Sequence, residues 1–404
     1  MSLIGWIDFS PEHRKKIDTI LSFFDSPDVV DELGIGTVRD GLSDLLFPGT
    51  STIHTRAKYF LIIPWCIQEL ERKKKFDNFS TELKKIEVKM IDSLLMAGDE
   101  KGIIGKESKS KLQRFPSSIY WNALKKYNIL NKNFPGSIND YVRFLKAVEK
   151  NKTIASSTRM LKSDKTQDDI STSNVHLTWM NVPAPPEDWQ NNLSINLTKE
   201  EAVFLKNKII TSCPNTLLEL ILRDEIEINH FNKIEDLLSL SSVPLKVKGD
   251  IMLAVDFNNL MKGAAILYNL LIQKSRNDGF LEDVQEIMND YLDSTKKYDW
   301  SRLNLDELWI KLPTHPKTKE FISRWMEITK SGNQLSKEAE DLIKQRELSI
   351  KGRQRSRLHD PANAQRIISY VGISPTEKET YYLGFRFRNV QTIYNDIISG
   401  LKNA

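Results

Sequence analysis

Three arginines alternate in Gly352-Arg353-Gln354-Arg355-Ser356-Arg357. In an extended segment, residues two apart point to the same side, so this spacing predicts one row of guanidinium groups. Each guanidinium is a planar fork that meets two phosphate oxygens at once. Lys344, Arg346 and Lys351 stand just upstream, and Arg366, Arg386 and Arg388 downstream. Arg346, Lys351, Arg353, Arg355, Arg357, Arg386 and Arg388 are therefore expected to track phosphates, with salt-dependent binding. The same side chains would also serve an acidic protein partner, or pair with acidic helices of the same chain. A second basic group, His54, Arg56 and Lys58, follows Thr50-Ser51-Thr52. It reads as the start of a recognition helix, with Arg56 and Lys58 as further nucleic-acid contacts.

Other chemistries lack their residues. The six histidines lie far apart, and none pairs at i, i+3 or i, i+4, so helix-borne zinc motifs are absent. Gly105-Lys106 has Glu100 where a phosphate loop needs its first glycine, and Glu107 follows. Gly34-Ile35-Gly36-Thr37-Val38-Arg39 begins like a dinucleotide fingerprint but ends on arginine, and reads as a turn before a helix. His13-Arg14-Lys15 and His315-Pro316-Lys317 both have isoleucine where a phospholipase-D-type site needs aspartate. Glu82-Leu83-Lys84, Glu87-Val88-Lys89 and Glu107-Ser108-Lys109 repeat a Glu-x-Lys element of metal-dependent nucleases. The first two fall on an amphipathic helix rather than a strand, and all three read as solvated faces. No Gly-x-Ser-x-Gly elbow occurs. No catalytic residue, metal or cofactor is expected, and a composite carboxylate site is left open.

The positive charge is local. The chain of 404 residues carries a formal net charge of +4. Its last 61 residues contain eleven basic and five acidic side chains, so the remainder is slightly acidic. Such a surface attracts polyanions without specifying a fold. Cys66 and Cys213 are the only cysteines, which excludes a disulfide framework. The longest apolar runs, 59–67 and 264–272, are far shorter than the roughly 20 residues of a spanning helix. No signal-peptide pattern opens the chain. A cytoplasmic protein without membrane contact is expected.

The elements that must position these groups read as helices. The length exceeds the usual limit of one core, about 250–300 residues. The pattern predicts a mainly α protein of two helical domains, 1–149 and 195–404, joined by a polar linker and proline-rich segment over 150–194, with few short strands. Ser10-Pro11 reads as a cap, and Thr50-Ser51-Thr52 as the cap of a helix through Arg72 kinked at Pro64. Further helices are expected near 80–97, 117–127 and 137–149. Thr198 and Glu201 have capping-box spacing. The apolar run 251–272 reads as a central buried helix, with Gly263-Ala264-Ala265 permitting close approach. Later helices are expected over 281–292, 314–330, 336–348 and 385–401. Strand-like alternation is confined to 194–197 and 381–387. Trp179 and Trp189 flank Pro183-Ala184-Pro185-Pro186 and read as packing anchors, with an aromatic ligand cage as the alternative.

Several strings together resemble an uncharacterised bacterial family known only as a domain of unknown function. They include Gly5-Trp6-Ile7-Asp8-Phe9-Ser10, Asp31-Glu32-Leu33-Gly34-Ile35-Gly36-Thr37-Val38-Arg39-Asp40 and Leu45-Leu46-Phe47-Pro48-Gly49-Thr50-Ser51-Thr52. Thr55-Arg56-Ala57-Lys58-Tyr59-Phe60, Pro64-Trp65, Arg114-Phe115-Pro116-Ser117-Ser118-Ile119-Tyr120-Trp121, Met261-Lys262-Gly263-Ala264-Ala265-Ile266-Leu267-Tyr268-Asn269 and Asp396-Ile397-Ile398-Ser399-Gly400-Leu401 complete the pattern. The resemblance spans nearly the whole chain and carries over no catalytic residue. It implies bacterial gene neighbourhoods with helicases and phospholipase-D-like nucleases, as in anti-phage defence. The resulting expectation is a non-enzymatic accessory subunit that binds DNA, or a helicase or nuclease from the same operon, through basic surfaces. The alternatives are a protein-interaction scaffold without nucleic-acid contact and a cryptic metal-dependent nuclease.

Overall fold

A computed structural model describes residues 31–74, 77–98, 101–132, 134, 136–161, 178–276, 280–360, 362–363 and 383–403, with the backbone alone over 151–161. Ser10-Pro11, Arg366 and 162–177, the middle of the expected linker, lie outside these residues. The protein is mainly helical. Among the described residues, β pairing is an isolated antiparallel bridge between Leu130 and Trp179. Residues 194–197 and 383–387 form no strand.

The helices are α1 (Gly36–Leu46), α2 (Tyr59–Arg72), α3 (Phe79–Met96), α4 (Pro116–Lys126), α5 (Ile138–Leu161), α6 (Lys199–Ser212) and α7 (Leu217–Arg223). They continue with α8 (Leu245–Ser275), α9 (Leu281–Thr295), α10 (Leu305–Lys311), α11 (Pro316–Lys330), α12 (Lys337–Lys351) and α13 (Phe387–Lys402). Their caps follow local chemistry. The Thr198 hydroxyl accepts from the Glu201 amide while the Glu201 carboxylate accepts from the Thr198 amide, closing the predicted capping box. Ser336 caps α12, and the His315 ring caps α11 ahead of Pro316. Helix α5 continues to Leu161, into the start of the stretch expected to be a linker.

The chain forms two compact units, and each draws on separated parts of the sequence. One comprises the described residues of Gly41–Val255 and Gly384–Ala404. In it α2 supplies the centre, with Phe60, Leu61, Ile63, Trp65 and Ile67 buried. That helix runs through Pro64. The Trp65 indole donates to the Pro183 carbonyl at 2.7 Å, so the proline-rich stretch is tied to α2. Trp179 donates to Glu71 and Trp189 packs edge-on against Trp65, both buried, in keeping with the packing reading. Helices α6 and α13 pack against each other.

The other unit comprises the described residues of Met1–Asp40 and Asp256–Leu383. Its core holds the second part of α8, with Phe257, Leu260 and Met261 fully buried, and the antiparallel neighbours α11 and α12. The Trp325 indole, on α11, donates to the Leu260 carbonyl at 2.9 Å. Gly263 is required here. A β-carbon at that position would lie 2.5 Å from the Tyr291 ring of α9.

Candidate functional site

The site builds from a carboxylate on the inner face of α12. Glu347 has no solvent exposure. A buried charge is stable only when donors surround it. Its Oε1 accepts from the Tyr268 hydroxyl at 2.8 Å and the Arg357 amide at 2.9 Å. Its Oε2 accepts from the Ser356 hydroxyl at 2.7 Å and the Leu358 amide at 2.9 Å. Lys351, one turn along the helix, reaches Oε1 at 3.5 Å. A second carboxylate, Glu32, faces the same group. It pairs with Lys351, accepts from Arg357 Nη1 at 2.9 Å, and meets the Tyr268 hydroxyl at 3.0 Å. Two carboxylates are thus balanced by one ammonium and one guanidinium. Burial and the Glu347 carboxylate push the Tyr268 phenol upward, so it stays protonated as a donor. Burial, then the Arg357 charge, pushes the Lys351 ammonium down, while the two carboxylates beside it supply its counter-charge.

This clamp decides where the arginine row goes. Gly352 adopts a left-handed φ of 70°, and the Ser356 amide donates back to its carbonyl at 3.0 Å. Residues 353–359 therefore curl into turns, and the extended row expected from the spacing does not form. Ser356, Arg357 and Leu358 are drawn onto Glu347, which sends the Arg357 guanidinium inward to Glu32. Arg353 and Arg355 are left exposed. Among the described residues neither guanidinium meets a carboxylate; the Arg355 guanidinium donates to the Lys351 carbonyl at 3.3 Å.

Arg346, the residue before Glu347, also faces inward. It is buried, and its guanidinium donates to the carbonyls of Leu33, Gly34 and Lys317 and to the Thr318 hydroxyl. It also lies over the Phe321 ring at 5.0 Å. Gly34 has a φ of 61°, and a β-carbon there would meet the Arg346 guanidinium at 2.9 Å. The glycine turn before α1 is thus the seat of an arginine, which no spacing in the sequence announced.

The second basic group is not a helix start. Helix α2 begins at Tyr59 with Lys58 as its N-cap residue, and His54 and Arg56 lie in the non-helical stretch before it. The reason is that the Thr55, Arg56 and Ala57 amides and the Arg56 and Lys58 side chains find tertiary partners there. Arg56 Nε donates to the Asp396 carboxylate at 3.0 Å and Nη2 to Asn196. Lys58 is buried, ion-paired to Glu201 at 2.6 Å and placed over the Trp65 ring. The Asp396 carboxylate also accepts the Ala57 amide. Arg386 donates to Asp44 and to the Thr50 carbonyl, which fixes the start of α13. Arg388 is exposed on α13. The structure so brings Arg346, Lys351 and Arg357 together around the 31–34 turn, and Arg56 and Lys58 around Asn196. Arg353, Arg355 and Arg388 face outward.

Two titratable groups in the unit that contains Gly41–Val255 are buried without a full counter-charge. Burial pushes the Glu87 carboxyl up to about 7, against the amide and hydroxyl of Ser117, which donate to it at 2.7 and 3.0 Å. Burial pushes the His54 ring down to about 4, with the Ile119 carbonyl opposing and the Arg386 charge adding to the depression. Its ring stacks on Tyr120 at 4.1 Å.

The residues missed by sequence reasoning are Glu32, Tyr268 and Glu347. The Glu347–Lys351 spacing of four was a visible signal, being a helical ion pair. Among the described residues no cluster of three or more histidine, cysteine, aspartate or glutamate side chains is placed to hold a metal ion. No helix among them is long and apolar enough to cross a membrane. A family model described as a family of unknown function, DUF6361, matches residues 1–388. No curated protein and no solved structure matches the chain.

Proposed function

The chain belongs to this family of unknown function, and on that footing we propose that it is a non-enzymatic accessory subunit of a bacterial DNA-processing or anti-phage defence complex. In this reading it works in the cytoplasm as two helical parts with a polar joint. It touches DNA, or a helicase or nuclease partner, through basic surfaces. The observation that carries the reading is the exposed pair Arg353 and Arg355 on a turn pinned by three donors to one buried carboxylate. A turn fixed in this way presents two guanidinium forks without losing backbone freedom on binding, which lowers the entropic cost. Arginine forks fit phosphate and carboxylate alike.

A gel shift at low salt tests the DNA form. Duplex DNA should bind the wild-type protein, and Arg353→Ala/Arg355→Ala should weaken it about ten-fold with a shallower salt dependence. Equal binding by both proteins removes these arginines from the interface. A nuclease-treated pull-down with the products of the adjacent genes tests the partner form; capture that persists without DNA, and fails in the double variant, assigns the arginines to a protein scaffold. Magnesium-dependent cleavage of plasmid by the purified chain would overturn the non-enzymatic assignment.

A further inference from the structure

Another basic surface lies apart from the two basic groups described above. Residues 106–114 read Lys-Glu-Ser-Lys-Ser-Lys-Leu-Gln-Arg, with four basic side chains against one acidic. All of them except Leu112 are exposed, whereas the neighbouring Ile103 and Phe115 are buried. The loop is built onto the unit rather than hung from it. The Ile104 amide donates to the Tyr59 hydroxyl of α2 at 2.9 Å, and Arg56 donates to the Lys101 carbonyl at 3.0 Å. Lys109–Lys111 form a short 3-10 turn that packs against α3. The Lys109 amide donates to the Gly105 carbonyl at 2.8 Å, and its ammonium reaches Asp92 at 2.7 Å. Lys84 of α3 lies over the Phe115 ring at 5.7 Å, which adds an exposed cation beside Arg114. Among the described residues, Lys111 and Arg114 meet no carboxylate.

The composition of the loop selects its partner. Ammonium groups are point charges that approach phosphate from any direction, and Ser108 and Ser110 add hydroxyl donors of the kind that bond phosphate oxygens. No aromatic side chain stands among residues 106–114, so the loop offers no platform on which unpaired bases could stack. We infer that loop 106–114, with Lys84, is a sequence-independent docking surface for the phosphate backbone of double-stranded DNA. It deepens the accessory-subunit reading and rests on it for the class of partner, but it stands on a different unit from Arg353 and Arg355.

The test is fluorescence anisotropy of the full chain with a labelled 30-base-pair duplex, over a salt series. The proteins compared are wild type, Lys106→Ala/Lys111→Ala/Arg114→Ala and Arg353→Ala/Arg355→Ala, each checked for an unchanged melting temperature. The loop variant should bind ten-fold or more weakly, with a log–log salt slope shallower by up to about 2.7, because each of the three lost phosphate contacts removes about 0.9. Weakening in the loop variant alone supports the loop and overturns the arginine turn. Weakening in the turn variant alone overturns the loop. Weakening in both supports both, and no binding by wild type overturns both. Tighter binding of single-stranded DNA, or displacement of the duplex by poly-glutamate as readily as by unlabelled DNA, overturns the assignment to a DNA duplex.

Discussion

Two basic stretches of this protein behave oppositely. The segment 344–357 holds most of the charge that stands out in the sequence, yet Arg346, Lys351 and Arg357 turn inward. Loop 106–114 is less conspicuous, yet its cations face water. The difference lies in what each stretch meets. The first packs against Glu32, Glu347 and the carbonyls of the 31–34 turn, which satisfy a buried cation. The second packs through apolar Ile103 and Phe115 rather than onto buried carboxylates, so its charged ends stay exposed. Local charge density is therefore a poor guide to surface charge when buried carboxylates compete for it.

The comparison can be broken most severely at Glu347. Glu347→Ala leaves the Ser356 hydroxyl and the amides of Arg357 and Leu358 without their acceptor and Lys351 with Glu32 alone, and should cost about 3–5 kcal/mol in urea unfolding. A loss below about 1 kcal/mol would show that the clamp does not hold the turn. Arg346→Lys comes next. One ammonium cannot replace a fork that serves three carbonyls and a hydroxyl, so a loss of about 2–3 kcal/mol is expected; a lysine that melts with the wild type would refute that role.

Glu87 and His54 sharpen the contrast between paired and unpaired burial through pH. The folded pKa of Glu87 is raised, so its protonated form stabilises the fold below the usual carboxylate range, and that contribution is lost as pH rises through about 7. Glu87→Gln should therefore gain up to about 3 kcal/mol over wild type at pH 8 and nothing at pH 4. Equal melting curves at both pH values would refute the shift. His54 works in the opposite direction. Its folded pKa is depressed, so the stability present above about 6.5 is lost as pH falls towards 4. His54→Phe should flatten that acid limb in melts recorded between pH 7 and pH 4. The smallest effect belongs to the outward arginines: Arg353→Ala/Arg355→Ala should leave stability within about 0.5 kcal/mol in the same urea assay, and a larger loss would mean that they too are structural.

Much of the helical architecture was legible. The Thr198 capping box, the Ser336 cap and the apolar run inside α8 are local signals, and helices formed where they stood. The failure at 50–58 has a physical cause. Thr50-Ser51-Thr52 has good capping chemistry, but the backbone of Thr55, Arg56 and Ala57 bonds to Tyr120 and Asp396, more than 60 and 300 residues away, and this outweighs helix propensity. The arginine row failed for the same reason, since Glu347 captures donors of the consecutive residues Ser356, Arg357 and Leu358, which an extended chain would have left free.

By itself, then, the sequence determined the helical class, the Thr198 capping box and the presence of a basic C-terminal region, because periodicity, capping and composition are short-range properties. Only the tertiary structure decided which cations are available to a partner. That choice depends on carboxylates and carbonyls brought together from distant positions, such as Glu32 beside Lys351 and Asp396 beside Arg56. A buried charge must find its partner wherever the fold places one, and spacing along the chain carries no record of that.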